Sequence, residues 1–158
     1  PGEILTKGPN VLLGYYKNEE DTGQTIDKDG WFHTGDLGLM DEDGNVFIKG
    51  RSKNMLLGSN GQNIYPEEIE DKLNSLPLVS ECLVIQSGEK LIALVHPDYD
   101  EAQNLGLNAD DLKNIMEENR TQLNTIVPAY CKVAEIRIQE EEFEKTPKKS
   151  IKRFLYTE

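Results

Sequence analysis

The 158 residues carry 17 basic and 29 acidic side chains, a net charge of −12, with 37% hydrophobic and 7% aromatic residues and two cysteines. That length suits one domain or a domain with an appendage. The acidic balance argues against nucleic acid as a partner, because its binders need a basic face to displace counterions. No apolar run reaches the roughly 20 residues of a membrane span and no charged-then-apolar leader opens the chain. A cytoplasmic location is therefore expected, with peripheral contact the membrane association left open.

In chain order, Gly2–Thr6 reads as a strand entering the turn Gly8-Pro9-Asn10 without a lead-in, and Pro1 is not an initiator methionine, as expected of a piece of a longer protein. Turn signals recur at Asp29-Gly30 and at Asp41–Asn45, the latter between Leu37–Met40 and Val46–Ile48, where it predicts a hairpin. Residues 1–50 thus read as β-rich. After Arg51 the pattern becomes α+β. A second hairpin is predicted around Gly58-Ser59-Asn60-Gly61, then a helix from Pro66 to about Ser75 with Ile69, Leu73 and Leu76 on one face. Strand-like runs follow at Leu83–Ile85 and Leu91–Val95, and Asn108 is placed to cap a helix striped by Leu112, Ile115, Met116 and Leu123. Ala134, Ile136 and Ile138 alternate with Glu135 and Arg137 as in a half-buried strand. The boundary is expected within Gly50–Asn54, with 51–54 as a hinge, 55–158 as the second domain and 54–145 as an independent core.

Cys82 and Cys131 lack CxxC spacing and a neighbouring His, which suggests buried small hydrophobes and no metal site. Among groups able to carry chemistry, Asp36 stands in Thr34-Gly35-Asp36, read as a small-residue turn at a strand end. Its carboxylate can accept two hydrogen bonds side by side from vicinal hydroxyls, or bond its own backbone. His33 is expected to pack beside Trp31 and Phe32. Arg51 ends a strand, where a guanidinium can fork onto ribose or phosphate oxygens. The stretch Ser59–Asn63 reads as a hairpin tip, lacking the spacing of dinucleotide and phosphate loops. Lys145, Lys148, Lys149, Lys152 and Arg153 place five cations in nine residues, directly after the acidic run Glu140–Glu144. This is either a solvated tail or a patch that meets a small phosphate.

Taken in order, these pieces resemble the adenylate-forming enzymes, which include acyl-CoA synthetases, luciferases and peptide-synthetase adenylation domains. Gly2-Glu3-Ile4, Gly8-Pro9 and Gly14-Tyr15-Tyr16 resemble the family's GE(I/L)…GP…GY stretch, and Gly30–Gly38 its GW(F/Y)xTGDxG motif. Gly50–Asn54 followed by Gly61–Glu70 is similar to GRxKD…GxxIxPxEIE. The wording SNGQNIYPEEIE is most like long-chain fatty acid–CoA ligases.

The resemblance implies an α+β chain made of the end of a large AMP-binding domain (1–50) and the small mobile C-terminal domain. It implies that a fatty acid, ATP with Mg2+, and coenzyme A are substrates of a full-length acid–thiol ligase, and that the fragment, with no tightly bound cofactor, is silent alone. By the same correspondence Asp36, Ile48 and Arg51 contact the nucleotide, Lys53 is the hinge, and Gly61 approaches the pantetheine arm. The family's closing PKTxxGK(I/V) departs here to Glu144-Lys145-Thr146-Pro147-Lys148-Lys149-Ser150-Ile151, so the ungapped lysine position holds Ser150. Either Lys149, the expected catalytic cation, or Lys148 reaches in from a shifted register, or the parent enzyme adenylates poorly. Alternatives are an aryl-acid or carrier-protein ligase, or a degenerate nucleotide-binding or interaction module.

Overall fold

A computed structural model describes residues 1–157. It comprises two compact units, Pro1–Met55 and Leu56–Glu158. The first is a three-stranded antiparallel sheet, β1 (Gly2–Thr6), β2 (Phe32–Met40) and β3 (Val46–Arg51), with β2 central. The predicted β2–β3 hairpin is present. At its tip the Asp41 carboxylate accepts the backbone N–H groups of Asp43 and Asn45 at 3.0 and 2.8 Å, which holds the reversal.

Three expectations for this unit need correction. A short helix, α1 (Glu19–Thr25), interrupts the β-rich stretch. It starts where the Asn18 side chain accepts the Asp21 N–H at 3.0 Å, and none of its residues is buried, so no apolar stripe marks it. Thr34-Gly35-Asp36 is not a turn at a strand end but lies inside β2. Glu3 pairs with Leu37 and Leu5 with His33, so the three residues bulge opposite the single Ile4. Bulges of this kind re-aim side chains. Among the described residues His33 makes no ring contact with Trp31 or Phe32. Its Nδ1 lies 2.8 Å from Glu3 and its Nε2 3.8 Å from Asp27.

The second unit opens with the predicted hairpin, β4 (Leu56–Leu57) and β5 (Asn63–Ile64), followed by α2 (Pro66–Asn74) with Pro66 in its first turn and Glu67 and Glu68 at the positive end of its dipole. Then come β6 (Val79–Ser87), β7 (Lys90–Pro97), the short α3 (Tyr99–Asn104), α4 (Ala109–Ile126) and β8 (Val133–Ile138). The central strand β7 is antiparallel to β6 and parallel to β8. Burial on both faces explains why β7 reads as an unbroken apolar run. Cys82, Val84, Leu91, Ala93 and Val95 meet Ile69 and Leu73 of α2 and Met116 and Leu123 of α4. Leu83, Ile85, Ile92 and Leu94 lie under Phe143, Ile151 and Tyr156 on the other face.

The basic run is therefore not a free tail. The chain after β8 folds back over the sheet, with Tyr156 edge-on to Phe143 at a centroid distance of 5.1 Å and its hydroxyl accepting the Glu144 N–H at 2.8 Å. In β8 the inward set differs from simple alternation. Val133 is buried and Ala134 exposed, because the register with β7 slips between Leu91↔Val133 and Ile92↔Glu135. The helix α3, begun by Asp98 accepting the Glu101 N–H at 2.9 Å, buries only Ala102 and leaves no periodic trace in the sequence.

The outer edge of β6 is closed by side chains rather than by a strand. The Glu70 carboxylate accepts the Val84 N–H at 2.7 Å, and Arg153 Nη1 donates to the Val84 carbonyl at 3.0 Å. Arg153 Nη2 lies 2.9 and 2.8 Å from the two Glu70 oxygens. Burial pushes the Glu70 carboxyl up, opposed by Arg153 and the Val84 amide.

Two outcomes test this architecture. Asn108 accepts the N–H groups of Asp110 and Asp111 at 2.8 and 3.1 Å while Asp111 returns a bond to the Asn108 N–H at 2.9 Å. Urea unfolding followed by helical circular dichroism should show Asn108→Ala destabilised by about 1 kcal/mol; an unchanged midpoint would contradict the cap. In the first unit, the Glu3 hydrogen bond raises the pKa of His33, and His33 lowers that of Glu3. The cationic His33 contribution is complete below the ordinary histidine value and lost as pH rises through the raised one. The carboxylate contribution is lost as pH falls through its depressed value. NMR titration of His33 should give a pKa above the ordinary 6.5 that returns toward 6.5 in Glu3→Gln, and an unmoved titration would exclude the pairing.

Candidate functional site

In the first unit the β2 bulge places Asp36 directly across from Arg51, the two being register partners. Arg51 Nη1 donates to Asp36 Oδ1 at 2.7 Å and to the Thr34 carbonyl at 3.1 Å. The bulge is itself braced. The Thr34 hydroxyl donates to the Ile4 carbonyl at 2.7 Å and accepts the Asp36 N–H at 3.0 Å, while the Gly35 N–H reaches Glu3 at 3.0 Å. Gly35 has a φ of 71°, a conformation that favours glycine, and a Cβ there would crowd the Arg51 guanidinium at 3.3 Å. The result is a carboxylate and a guanidinium, both partly exposed, held side by side on one sheet face. Such a pair can accept from and donate to a polyhydroxylated, phosphorylated ligand.

Of the other expected positions in this unit, Ile48 lies in β3 opposite Gly38, with its side chain exposed. Lys53 lies in the single turn of 3-10 helix Ser52–Asn54, also exposed. Asp36 and Arg51 are brought together; Gly61 and Lys149 belong to the second unit.

There, Gly61 occupies the tip of the β4–β5 hairpin with a φ of 77°, closed by Gly58 N–H to Gln62 O and Gly61 N–H to Gly58 O, both 2.8 Å. Beside the hairpin lies a polar groove of about 410 Å³, lined by Asn60, Gln86, Lys90, Tyr130 and Lys132 among others. Gln86 Nε2 ties the groove wall to the Leu57 carbonyl at 3.2 Å. Among the described residues Lys90 and Lys132 have no ion-pair partner, so the groove, which Glu89 also lines, offers two available cations, one carboxylate and an aromatic ring.

The second feature is a tip built from Thr146–Ser150. Lys145 and Ile151 bridge its stems, Thr146 N–H donates to Ser150 O and Lys149 N–H to Thr146 O, both at 2.8 Å. The cations of the run divide by role. Lys145 pairs with Glu81 and raises its own pKa by doing so; Lys152 pairs with Glu144 at 3.1 Å and Arg153 with Glu70 at 2.8 Å. Lys148 and Lys149, both exposed, are the two without an ion-pair partner among the described residues. Lys149 has a φ of 61°, the left-handed conformation that favours glycine. It thus takes the glycine place of the GK dipeptide, with Ser150 following.

The two features stand at opposite ends of β6. The tip is moored at Glu81 and the hairpin at Gln86, five residues and about 17 Å apart along a strand. The groove residues Lys90, Tyr130 and Lys132 and the mooring Glu81 carry no local motif in the sequence, while Glu3 and Glu70 fall inside the GE(I/L) and GxxIxPxEIE stretches without their bonding roles being marked there. Cys82 and Cys131 are buried, and desolvation pushes both thiols up, which removes them as nucleophiles at neutral pH. Among the described residues no three His, Cys, Asp or Glu side chains converge as a metal site, and no helix is long and apolar enough to cross a membrane.

Comparison with known proteins places the second unit in one family. Residues 53–158 match the family described as AMP-binding enzyme C-terminal domain. The 2-succinylbenzoate–CoA ligase of Bacillus cytotoxicus is 47% identical over 89 residues, covering 56% of this chain and 18% of that protein. Probable 4-coumarate–CoA ligase 2 of Dictyostelium discoideum is 52% identical over 84 residues, 53% of this chain and 15% of that protein. Probable acyl-activating enzyme 9 of Arabidopsis thaliana is 37% identical over 159 residues, 98% of this chain and 27% of that protein. The O-succinylbenzoate coenzyme A synthetase of Bacillus subtilis, solved with AMP, matches with a TM-score of 0.71 and 26% identity over 98% of this chain and 30% of that one. The adenylation domain of a carboxylate reductase from Mycobacterium chelonae shares the fold, with a TM-score of 0.85 at 23% identity, covering 98% of this chain and 25% of that one. The chain therefore spans between 15% and 27% of the length of these curated relatives. With adenylate-forming enzymes as its fold neighbours, an α+β architecture and a family match over residues 53–158, the chain belongs to the AMP-binding enzyme C-terminal domain family, whose members among its relatives are acyl- and aryl-CoA ligases.

Proposed function

We propose that this chain is the C-terminal part of an ATP-dependent acyl-CoA synthetase, with residues 1–50 the end of its large domain, 51–54 with Lys53 the hinge, and 55–158 the mobile domain. The observation that carries the reading is the pair of dissimilar functional ends on β6: a cationic tip moored at Glu81 and a glycine hairpin with its polar groove moored at Gln86. Separated by about 17 Å of strand, they suit two half-reactions in succession better than one ligand held by both.

In the first half-reaction a carboxylate oxygen of the acid attacks the α-phosphorus of ATP, and pyrophosphate leaves with the Mg2+ that accompanies the nucleotide. Asp36 takes the ribose hydroxyls, Arg51 orients that carboxylate and contacts the nucleotide, and Ile48 packs nearby. Lys149 offers its ammonium to the charge that builds on the α-phosphate. In the second, the coenzyme A sulfur attacks the acyl carbon and AMP leaves. The Gly61 backbone approaches the pantetheine arm, while Lys90, Lys132 and Tyr130 take the phosphorylated end. The SNGQNIYPEEIE wording supports a long-chain fatty acid as substrate. The second reading, an aryl acid, is favoured by relatives named for 2-succinylbenzoate and 4-coumarate.

The test uses the full-length protein and acid-dependent exchange of labelled pyrophosphate into ATP, with long-chain fatty acids and aryl acids side by side. Exchange is expected with long-chain acids and to fall by about 100-fold in Lys149→Ala. Lys149→Gly relieves the left-handed backbone, so it should melt no lower than the parent yet lose the same activity. Exchange with aryl acids alone would replace the fatty-acid reading. Exchange absent until Ser150→Lys is introduced would remove Lys149 from the role, and none in any variant would favour a degenerate module. Independently, Lys132→Ala should raise the KM for coenzyme A about tenfold, the equivalent of roughly 1.4 kcal/mol of binding, without changing pyrophosphate exchange. Equal losses in both assays would contradict the groove assignment.

A further inference from the structure

We propose that Glu70 and Arg153 are positioning residues for adenylation, their ion pair at the edge of β6 setting where the tip with Lys148 and Lys149 stands. This rests on the reading of the tip as the adenylating face. Arg153 follows Ser150 by three residues; between them Ile151 packs on the second face of the sheet and bridges Lys145, and Lys152 bonds back to Glu144 through side chain and backbone. These contacts tie the return stem to the loop and to the apolar layer, while Arg153 ties it to the strand edge and α2. The guanidinium does more than meet a charge. It bonds Glu70 through Nη2 and the Val84 carbonyl through Nη1, while Glu70 in turn holds the Val84 N–H. Three fixed points on two elements therefore define its plane, and the return stem of the tip inherits that placement. The outgoing stem is fixed separately, by Lys145 on Glu81 of the same strand.

Net stability gives little reason for this arrangement. A buried ion pair gains no more than well-packed apolar side chains of similar volume, whereas a forked guanidinium fixes direction. Glu70 also belongs to α2, whose first residue Pro66 comes directly after the β5 strand and Tyr65. The same pair thus joins the tip to the helix that follows the Gly61 hairpin, so the two functional ends keep a constant separation.

The experiment compares the full-length parent with Arg153→Lys, Arg153→Met and the double variant Glu70→Leu/Arg153→Met in three measurements. These are pyrophosphate exchange, acyl transfer to coenzyme A from supplied acyl-adenylate, and the thermal midpoint. Arg153→Met strands a buried carboxylate, and the double variant removes it, so the double variant should recover the midpoint. Exchange should nevertheless stay down by about 30- to 100-fold in both, the scale expected when a remote change misplaces a reacting group by an ångström. Arg153→Lys, with charge but no fork, should lie between. Acyl transfer should remain within twofold of the parent throughout. Recovery of exchange together with the midpoint, or acyl transfer falling in step with exchange, would overturn the proposal. If the parent performs neither half-reaction the adenylating reading itself has failed. Hydrogen exchange in the present chain then decides the placement alone: protection of the Lys149 amide lost in the double variant supports it, and protection retained overturns it.

Discussion

A three-stranded sheet leaves two edges, and the second unit depends on how one of them is closed. At the outer edge of β6 the Val84 N–H and carbonyl both point away from β7, and among the described residues no further strand meets them. Left to themselves these groups would invite pairing with another chain. Glu70 supplies the acceptor and Arg153 the donor, so two side chains imitate a neighbouring strand and neutralise each other while doing so. This explains why charged residues lie in an otherwise apolar layer. It also explains how a segment rich in lysine and glutamate becomes part of the fold. Once Arg153 is committed to the edge, Phe143, Ile151 and Tyr156 are brought over the second face of the sheet.

The acidic and basic runs acquire their meaning from the same constraint. Taken as composition they look like a solvated tail, yet Glu144 is the partner of Lys152 and Glu142 lies 3.8 Å from Lys145. The remaining acids that hold the basic run, Glu70 and Glu81, come from α2 and β6. What the pairing leaves exposed is small and specific: two adjacent lysines at the end of a braced loop. In the first unit the economy is similar. Thr34 and Glu3 spend their hydrogen bonds on the bulge rather than on solvent, and the bulge presents Asp36 to Arg51.

Much of this was legible because local rules and tertiary structure agree. Pro66 with its following glutamates, the Asn108 cap, the Asp41–Asn45 reversal and the apolar run of β7 each state their element within a few residues, and each element formed there. The ordered motifs pointed to the family, and the family match covers residues 53–158. What escaped was of two kinds. Helices α1 and α3 are short and bury at most one side chain, so tertiary burial writes no period into them. Contacts across long separations were equally silent. Glu70 and Arg153 lie 83 residues apart and His33 and Glu3 30 apart, and the bulge at Asp36 exists only relative to the register of β1. Lys132 and Lys90 share a groove because β8 pairs parallel to β7 after a long crossover, a topology no local pattern encodes.

The tip shows how local and global demands meet in one residue. A five-residue loop between bridged stems needs a left-handed position, and the family motif fills it with glycine. Here Lys149 stands at a φ of 61°, which costs an L-residue on the order of 1 kcal/mol. A residue held in a sparsely populated conformation persists only where its surroundings over-determine it, and the two stems, moored at Glu81 and Glu70, provide that determination. The next residue, Ser150, has its amide directed to the Thr146 hydroxyl at 3.3 Å and its carbonyl to the Thr146 N–H at 2.8 Å. Its backbone is thus occupied in closing the loop, and a hydroxymethyl group cannot supply a cation from there. Any positive charge this loop offers a ligand must come from Lys148 or Lys149, one position or two before the place where the motif puts it, and from a backbone that the ion pairs beneath it hold still.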